Sequence, residues 1–462
     1  MRRFWLSRAY LPGDTAAGGW ASEVEITTDA AGLITAVQPG RAAAVDAVRL
    51  DGPVLPGLAN LHSHAFQRAM AGLAEIAGPA GDDFWTWRET MYRFALTLSP
   101  EDVEAIAAQL YAEMLAQGYT AVGEFHYLHH QTDGRPYDDR AELSWRILAA
   151  AEQTGMALTH LPVLYATGGF GKPASERQRR FLHDIDGYAA LLERLRPRLT
   201  GRHRLGMAPH SLRAVPAEML RAALSLDASG PVHIHIAEQT GEVAECEAFT
   251  GQRPVQWLLD HAAVDARWCL VHATHMTADE TARLAASQAV AGLCPTTEAN
   301  LGDGLFPAVE YLRQGGRFGI GSDSHISINA AEELRWLEYG QRLFHRGRNM
   351  LSGAPGAATP GAATGPKLFD AAAAGGAQAL QQPTGAIAVG RRADFVLLDG
   401  NAAQFAGLPP ERLLDAWIFS GQPNAVREVY VGGERVVAEG RHVKAEAIAA
   451  RYRAVMRKLL SS

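Results

Sequence analysis

One pattern constrains this chain more than any other. A short apolar run is followed by a helix-like stretch, and the pair recurs eight times. The first run ends at His62-Ser-His64. The others are Thr120-Ala-Val-Gly-Glu-Phe125, Leu158-Thr-His-Leu-Pro-Val-Leu164, Arg204-Leu-Gly-Met-Ala208, Val232-His-Ile-His-Ile236, Trp268-Cys-Leu-Val-His272, Val290-Ala-Gly-Leu-Cys294 and Phe318-Gly-Ile-Gly-Ser322. Helical stretches such as residues 100–117 and 278–287 lie between them. Near-continuous apolar runs mark strands buried on both faces, and parallel strands need helical crossovers. The pattern predicts an α/β fold, a TIM-like (β/α)8 barrel, whose reactive groups gather at the C-terminal ends of the strands.

The two ends of the chain have a different texture. Glu23-Val-Glu-Ile-Thr-Thr28 and Leu33-Ile-Thr-Ala-Val37 alternate apolar and polar residues between Gly and Asp turns. Ala393-Asp-Phe-Val-Leu-Leu-Asp399, Val426-Arg-Glu-Val-Tyr-Val431 and Arg435-Val-Val437 repeat this beyond the barrel, the last two around the Gly432-Gly433 turn. Residues 1–55 and 381–462 are therefore expected to pair into a small β-sandwich domain, the second part ending in a helix, around a catalytic barrel at 56–380. Residues 352–365 are almost entirely Gly, Ala, Pro, Ser and Thr and predict a mobile loop.

Composition narrows the partners. A net charge of −7 without a basic cluster gives no footprint for nucleic acid. No uncharged run reaches the length that spans a bilayer, so no membrane association is expected. Met1-Arg-Arg-Phe-Trp-Leu6 is followed at once by Pro12-Gly-Asp-Thr15 rather than by an apolar export segment. Three cysteines, Cys246, Cys269 and Cys294, form no CxxC pair and fit buried thiols in a reducing, cytoplasmic setting.

Chemistry collects at the predicted strand ends. His62 and His64 are two residues apart, so both rings leave one face of a strand. The fifth run offers His235 with Glu238 three residues on, the sixth offers His272, and the eighth leads to Asp323. Three imidazoles and a carboxylate suit one divalent transition metal, Zn2+ above all or Fe2+, which turns bound water into a nucleophile near neutral pH.

Pro56-Gly-Leu-x-Asn-x-His-x-His64, His-x-x-Glu at 235–238, His272 and Ser-Asp at 322–323 together resemble the amidohydrolase superfamily. The resemblance covers nearly the whole chain, including Gly390-Arg-Arg-Ala-Asp-Phe-Val-Leu-Leu-Asp399. It implies a mononuclear site with His62, His64, His235 and Asp323 as ligands. Ala208-Pro-His-Ser-Leu-Arg213 stands where binuclear members carry a carboxylated lysine, which favours the deaminase-like branch.

Three further segments resemble the N-formimino-L-glutamate deiminases: His62-Ser-His-Ala-Phe-Gln67-Arg68-Ala-Met-Ala-Gly72, Phe84-Trp-Thr-Trp-Arg88-Glu-x-Met-Tyr92 and Gly123-Glu-Phe-His-Tyr127-Leu-His129. That resemblance implies a dicarboxylate substrate held by Arg88, Tyr127 and Arg213. Gln67 and Ser322 match further substrate positions, and His210 falls in the loop of Arg213. It also implies Glu238, His272 and Asp323 as the catalytic groups, and family members often form homodimers. Arg88 taken alone is a surface charge on a helix, and His126, His129 and His130 are expected to be solvent-facing loop residues. Two alternatives remain at this point: a deaminase of purine, adenosine-like or triazine rings on the same metal core, and a barrel that has lost catalysis and serves in binding.

Overall fold

A computed structural model describes residues 1–13, 19–76, 82, 84–353, 361–421 and 425–461. Its eight barrel strands are Leu58–Ser63, Tyr119–His126, Ala157–Leu164, a fourth broken into His203–Leu205 and Ala208–Pro209, then Val232–Ile236, Trp268–His272, Val290–Leu293 and Arg317–Ile320. Strands one to four hydrogen-bond in parallel as one sheet and strands five to eight as another. Parallel bridges at Met207–Val232 and Ser211–His235 on one side and at Ser63–Asp323 on the other join the two sheets edge to edge, so the eight strands run in a ring. The expected (β/α)8 barrel is the fold of this chain.

The seam between the first and last strands is the tightest. A Cβ on Gly321 would sit 2.9 Å from the backbone nitrogen of His62, so only glycine allows that approach. The Asp323 N–H then donates to the His62 carbonyl at 3.0 Å, and the His64 N–H to the Asp323 carbonyl at 3.3 Å. Outside the ring, Gly375 in the helix Thr364–Leu380 performs the same service, since a Cβ there would overlap the Phe318 carbonyl.

Both chain ends contribute to one further sheet of eight strands. Arg2–Tyr10, Trp20–Thr28, Ile34–Gln38 and Val48–Pro56 come from the start, and Phe395–Leu398, Val426–Val431, Glu434–Ala438 and Arg441–His442 from the end. The sandwich expected from the sequence is thus hydrogen-bonded as a single continuous sheet, which encloses its own core of Phe4, Leu6, Val24, Ile26, Leu50, Val54, Phe395 and Leu397. The Arg2–Tyr10 strand was not evident in the sequence, since the charges at Arg2, Arg3 and Arg8 mask its apolar positions. Pro56-Gly57 divides what looks like one apolar run into two strands of different sheets.

Asp394 fastens the end sheet to the barrel. Its carboxylate is bidentate with Arg392 and accepts from Thr384 at 2.8 Å and from Thr120 at 3.1 Å, while its carbonyl accepts from the Gly57 N–H at 3.1 Å. The C-terminal helix Ala445–Ser461 lies against Pro100–Ala116, where Lys458 reaches Asp102 at 2.6 Å. The latter helix starts as predicted, with Ser99 and Asp102 forming a capping box before Pro100.

Two expectations need correction. The segment 352–365 is not loop throughout, because Thr364 and Gly365 open a helix; 354–360 lie outside the described residues. The histidines at and just after the end of the second strand are not solvent-facing. His126 and His129 are buried, with His129 Nε2 2.9 Å from the Val163 carbonyl, and His130 Nε2 lies 2.6 Å from the Leu182 carbonyl. The residues 176–183 fold over them, so the loop is roofed rather than open. Among the described residues, no helix is long and apolar enough to cross a membrane. The three cysteines are free and buried, as expected.

Buried histidines make the fold acid-sensitive. Burial holds His126 and His183 down to about 3 and His203 to about 4, against 6.5 for a free imidazole. A depressed histidine contributes stability that is complete above the unfolded pKa and is lost as pH falls below it, by about 1.4 kcal/mol per pH unit for each such group. The urea midpoint is expected to drop between pH 7 and pH 5, and His183→Asn should flatten that dependence. An unchanged slope in the variant would show that His183 does not carry it.

Candidate active site

Three imidazole nitrogens meet at the C-terminal mouth of the ring. His62 Nε2 lies 3.1 Å from His64 Nε2 and 3.0 Å from His235 Nε2. Asp323 Oδ1 is 3.4 Å from His62 Nε2 and 3.3 Å from His64 Nε2. The four ligand atoms fall within 4.8 Å of one another, and all four residues are buried. Donor atoms about 2.0–2.1 Å from a shared zinc ion are about 3.0–3.4 Å apart for bond angles from about 90° to tetrahedral. The observed spacing therefore fits a single small divalent ion.

The nitrogens are also in the right protonation state. His64 Nδ1 donates to the Phe125 carbonyl at 2.9 Å and His235 Nδ1 to the His210 carbonyl at 3.1 Å, which leaves both Nε2 lone pairs facing inward. Burial lowers the pKa of His62 to about 3 and lowers those of His64 and His235, so the rings stay neutral. Burial alone would raise Asp323, but its interactions with the His62, His64 and His272 rings hold its carboxyl well below the usual carboxylate range. Neutral imidazoles around an ionised carboxylate are what a metal ion requires.

Backbone strain at the strand ends aims these side chains. Asp323 has φ of 45°, Ala237 51° and His272 68°, in the left-handed region that non-glycine residues rarely occupy. Such strain is tolerated where the surroundings over-determine it, and it clusters at functional sites.

His272 stands beside the cluster. Its Nε2 is 3.7 Å from Glu238 Oε1 and 3.9 Å from Asp323 Oδ2, while Nδ1 is 3.2 Å from Glu298 Oε1. Burial opposes its charge, but Glu238, Glu298 and Asp323 outweigh burial and carry its pKa well above 6.5. Glu238 is raised to about 7, chiefly by burial and then by the negative charges of Asp323 and Glu242.

A cleft of about 550 Å3, open solvent at its mouth included, leads from the cluster outward. His64, His235, Glu238, His272 and Asp323 line its floor, and Gln67, Arg88, Tyr127, His210 and Arg213 line its walls. Gln67 donates to the Tyr127 hydroxyl at 2.7 Å. Arg88 projects from the helix Phe84–Ala95, its guanidinium 4.4 Å from the Trp85 ring centre and its Nε without a hydrogen-bond partner. Arg213 is buried, and its positive charge helps burial to lower the pKa of Arg88. Among the described residues, neither guanidinium lies within salt-bridge distance of a carboxylate, although the negative charges of Glu242 and Glu238 act on Arg213. His210 is kept neutral by burial and by Arg213, with Nδ1 3.0 Å from the Ser211 hydroxyl.

Ser322 is the one substrate-binding candidate that does not line the cleft. Fully buried behind Asp323, its hydroxyl accepts from Asn60 at 2.6 Å and lies 2.9 Å from His325 Nδ1. Sequence reasoning passed over Glu124, Glu298, Tyr92 and Tyr165. Glu124 accepts from the Ser63 hydroxyl and the Ala65 N–H, both at 2.7 Å, and so pins the segment that carries His64. Tyr92 and Tyr165 line the cleft. Only Glu124 lies on a barrel strand, and its side chain turns to the supporting side, so no strand-end rule would find it.

The chain resembles known proteins over its full length. A formimidoylglutamate deiminase of Pseudomonas aeruginosa is 54% identical over 463 residues, covering 100% of both chains. A 5-methylthioadenosine/S-adenosylhomocysteine deaminase of Natronomonas pharaonis is 28% identical over 85% of this chain and 82% of its own. The crystal structure of an amidohydrolase from Brucella melitensis superposes with a TM-score of 0.92 at 47% identity, covering 100% of each chain. The model of the amidohydrolase family matches residues 54–436, from the last strand before the barrel to the late strands of the end sheet. With its ring of parallel strands, its histidine–aspartate cluster and that match, this chain belongs to the amidohydrolase family.

Proposed function

We propose that this chain is a formimidoylglutamate deiminase, which hydrolyses N-formimino-L-glutamate to N-formyl-L-glutamate and ammonia, a step of histidine breakdown. The observation that carries this reading is the pair of unmatched guanidiniums, Arg88 and Arg213, in the walls of the cleft that the histidine–aspartate cluster floors. A half-buried cation, Arg88, and a buried one, Arg213, neither in a salt bridge among the described residues, favour a ligand that brings two carboxylates, and the fork of arginine matches carboxylate geometry. The identity with the Pseudomonas deiminase supports the same substrate.

His62, His64, His235 and Asp323 would hold one divalent ion, zinc by the nitrogen and oxygen character of the set. Such an ion lowers the pKa of water and polarises the bond under attack. The chain's own groups do the rest. Arg88, Arg213 and Tyr127 hold the glutamate carboxylates and present the formimino carbon to the cluster. Gln67 and His210 border the same space and fix the orientation of the chain between. Asp323 Oδ2 takes a proton from the attacking water, and a tetrahedral carbon forms. Glu238, whose pKa of about 7 suits a group that gives and takes protons near neutrality, carries protons to the departing nitrogen. His272 donates to the charge that develops at the carbon's oxygen. Collapse breaks the bond to the terminal nitrogen, so ammonia leaves and the formyl group stays on glutamate.

The decisive experiment incubates zinc-loaded protein with N-formimino-L-glutamate and identifies products by mass spectrometry with ammonia detection. N-formylglutamate with ammonia is expected; formamide with glutamate would show that the other C–N bond breaks. Elemental analysis should give one zinc per chain, and chelation should abolish turnover until zinc is returned. Arg213→Met is expected to raise KM for the diacid by roughly 10²-fold, the loss of about 2–3 kcal/mol for a buried charged hydrogen-bonded pair. A formamidine without carboxylates should be little affected, and equal effects on both substrates would remove Arg213 from carboxylate binding. Glu238→Gln should keep its metal and lose roughly 10²- to 10⁴-fold in kcat, the range for a proton-transfer group; full activity would exclude that role.

A further inference from the structure

We propose that Glu298 is a positioning residue for His272, forming a buried carboxylate–imidazole dyad that fixes the ring's tautomer and turns Nε2 toward the reacting atoms. Glu298 touches neither the metal cluster nor the cleft; it acts through His272, and its role in turnover rests on the function proposed above.

The dyad is built from the outside inward. The seventh strand, Val290–Leu293, runs into a short helix, Pro295–Leu301. The first helical bond runs from the Glu298 N–H to the Cys294 carbonyl at 2.9 Å, and the Glu298 side chain folds back so that Oε1 accepts the Cys294 N–H, also at 2.9 Å. The same oxygen lies 3.2 Å from His272 Nδ1. A carboxylate that already accepts a backbone N–H has only lone pairs to offer, so the ring nitrogen facing it carries the proton. Nε2 is then the nitrogen free to exchange a proton, and it faces Glu238 Oε1 and Asp323 Oδ2.

The residues preceding Glu298 hold its carrier in place. The Thr296 N–H donates to Glu333 at 2.9 Å and its hydroxyl to the same carboxylate at 2.5 Å. The Thr297 hydroxyl donates to the Ser322 carbonyl at 3.2 Å and lies 3.1 Å from the Ser324 hydroxyl. Thr297 is therefore tied to the residues on both sides of Asp323, which holds in place the backbone that carries Glu298. His272 needs that support because its backbone sits at φ of 68° and its ring, stacked on His235 at 5.6 Å and 16°, has Glu298 as the partner of its Nδ1. An acid behind a histidine does the same work in hydrolases with a nucleophilic serine, where it sets tautomer and orientation without taking up the proton itself.

The test uses the full-length zinc-loaded protein and the variants Glu298→Ala and Glu298→Gln, alone and with His272→Asn. Metal content should stay at one ion per chain and KM should stay within about twofold. Glu298→Ala should lower kcat by roughly 10²-fold and Glu298→Gln, which keeps an acceptor but not the charge, by about tenfold. In the His272→Asn background, Glu298→Ala should have no further effect. Histidine 15N–1H spectra taken at a pH where the ring is neutral should show His272 protonated at Nδ1 in the parent and a mixed tautomer in Glu298→Ala. Wild-type kcat in Glu298→Ala, the same loss of kcat without His272, or an unaltered His272 spectrum would each overturn the proposal. The spectra decide the tautomer even if formiminoglutamate proves not to be turned over, so failure of the dyad and failure of the substrate assignment are distinguishable.

Discussion

The seam that closes the barrel carries the rest of the molecule's chemistry. The first and last barrel strands meet through a glycine that no side chain can replace, and their backbones exchange hydrogen bonds between His62, His64 and Asp323. His62 and Asp323, 261 positions apart in the chain, thus become neighbours at the point where a cation is to be held. Three neutral imidazoles and an ionised carboxylate cannot be packed so closely in a buried site without something positive to share. Ring closure and metal affinity are in this sense a single constraint.

Around that point the charges are sorted by location. Carboxylates gather on the side of His272, where Glu238, Glu298 and Asp323 surround one imidazole. Guanidiniums stand on the outer wall, where Arg88 and Arg213 line the same cleft with no salt bridge to a carboxylate among the described residues. A substrate with an amidine at one end and two carboxylates at the other is complementary to this division, with the amidine toward the acids and the carboxylates toward the arginines. Electrostatics of this kind sets orientation before any bond is broken.

Much of this was legible in the sequence because barrel strands announce themselves as apolar runs and their last polar residue points into the mouth. His62, His64, His235, His272 and Asp323 all follow that rule, and the fifth and sixth strands begin and end where the sequence places them. Groups that act through others do not follow it. Glu298 sits inside a helix and Glu124 inside a strand, and nothing in their neighbours marks them. Arg88 is spaced like any surface arginine on an amphipathic helix, and only its resemblance to related chains singled it out. His126, His129 and His130 were misjudged for the opposite reason: their sequence is that of an open loop, but residues distant in sequence roof it over. Local pattern reports periodicity and chain direction; it does not report what a later segment covers.

The Asp394 fastening has a consequence for how such a chain is made. Thr120 and Asp394 are 274 residues apart, and the early strand Val48–Pro56 is flanked in its sheet by Arg2–Tyr10 and Phe395–Leu398. On a ribosome the opening strands therefore emerge long before the partner that covers their second edge. Until then Val48–Pro56 has an unpaired edge leading directly into the first barrel strand, the one that bears two of the site's histidines. The nascent chain thus holds an unfinished sheet throughout the synthesis of the barrel, and the mouth reaches its supported form only after Phe395–Leu398 has emerged.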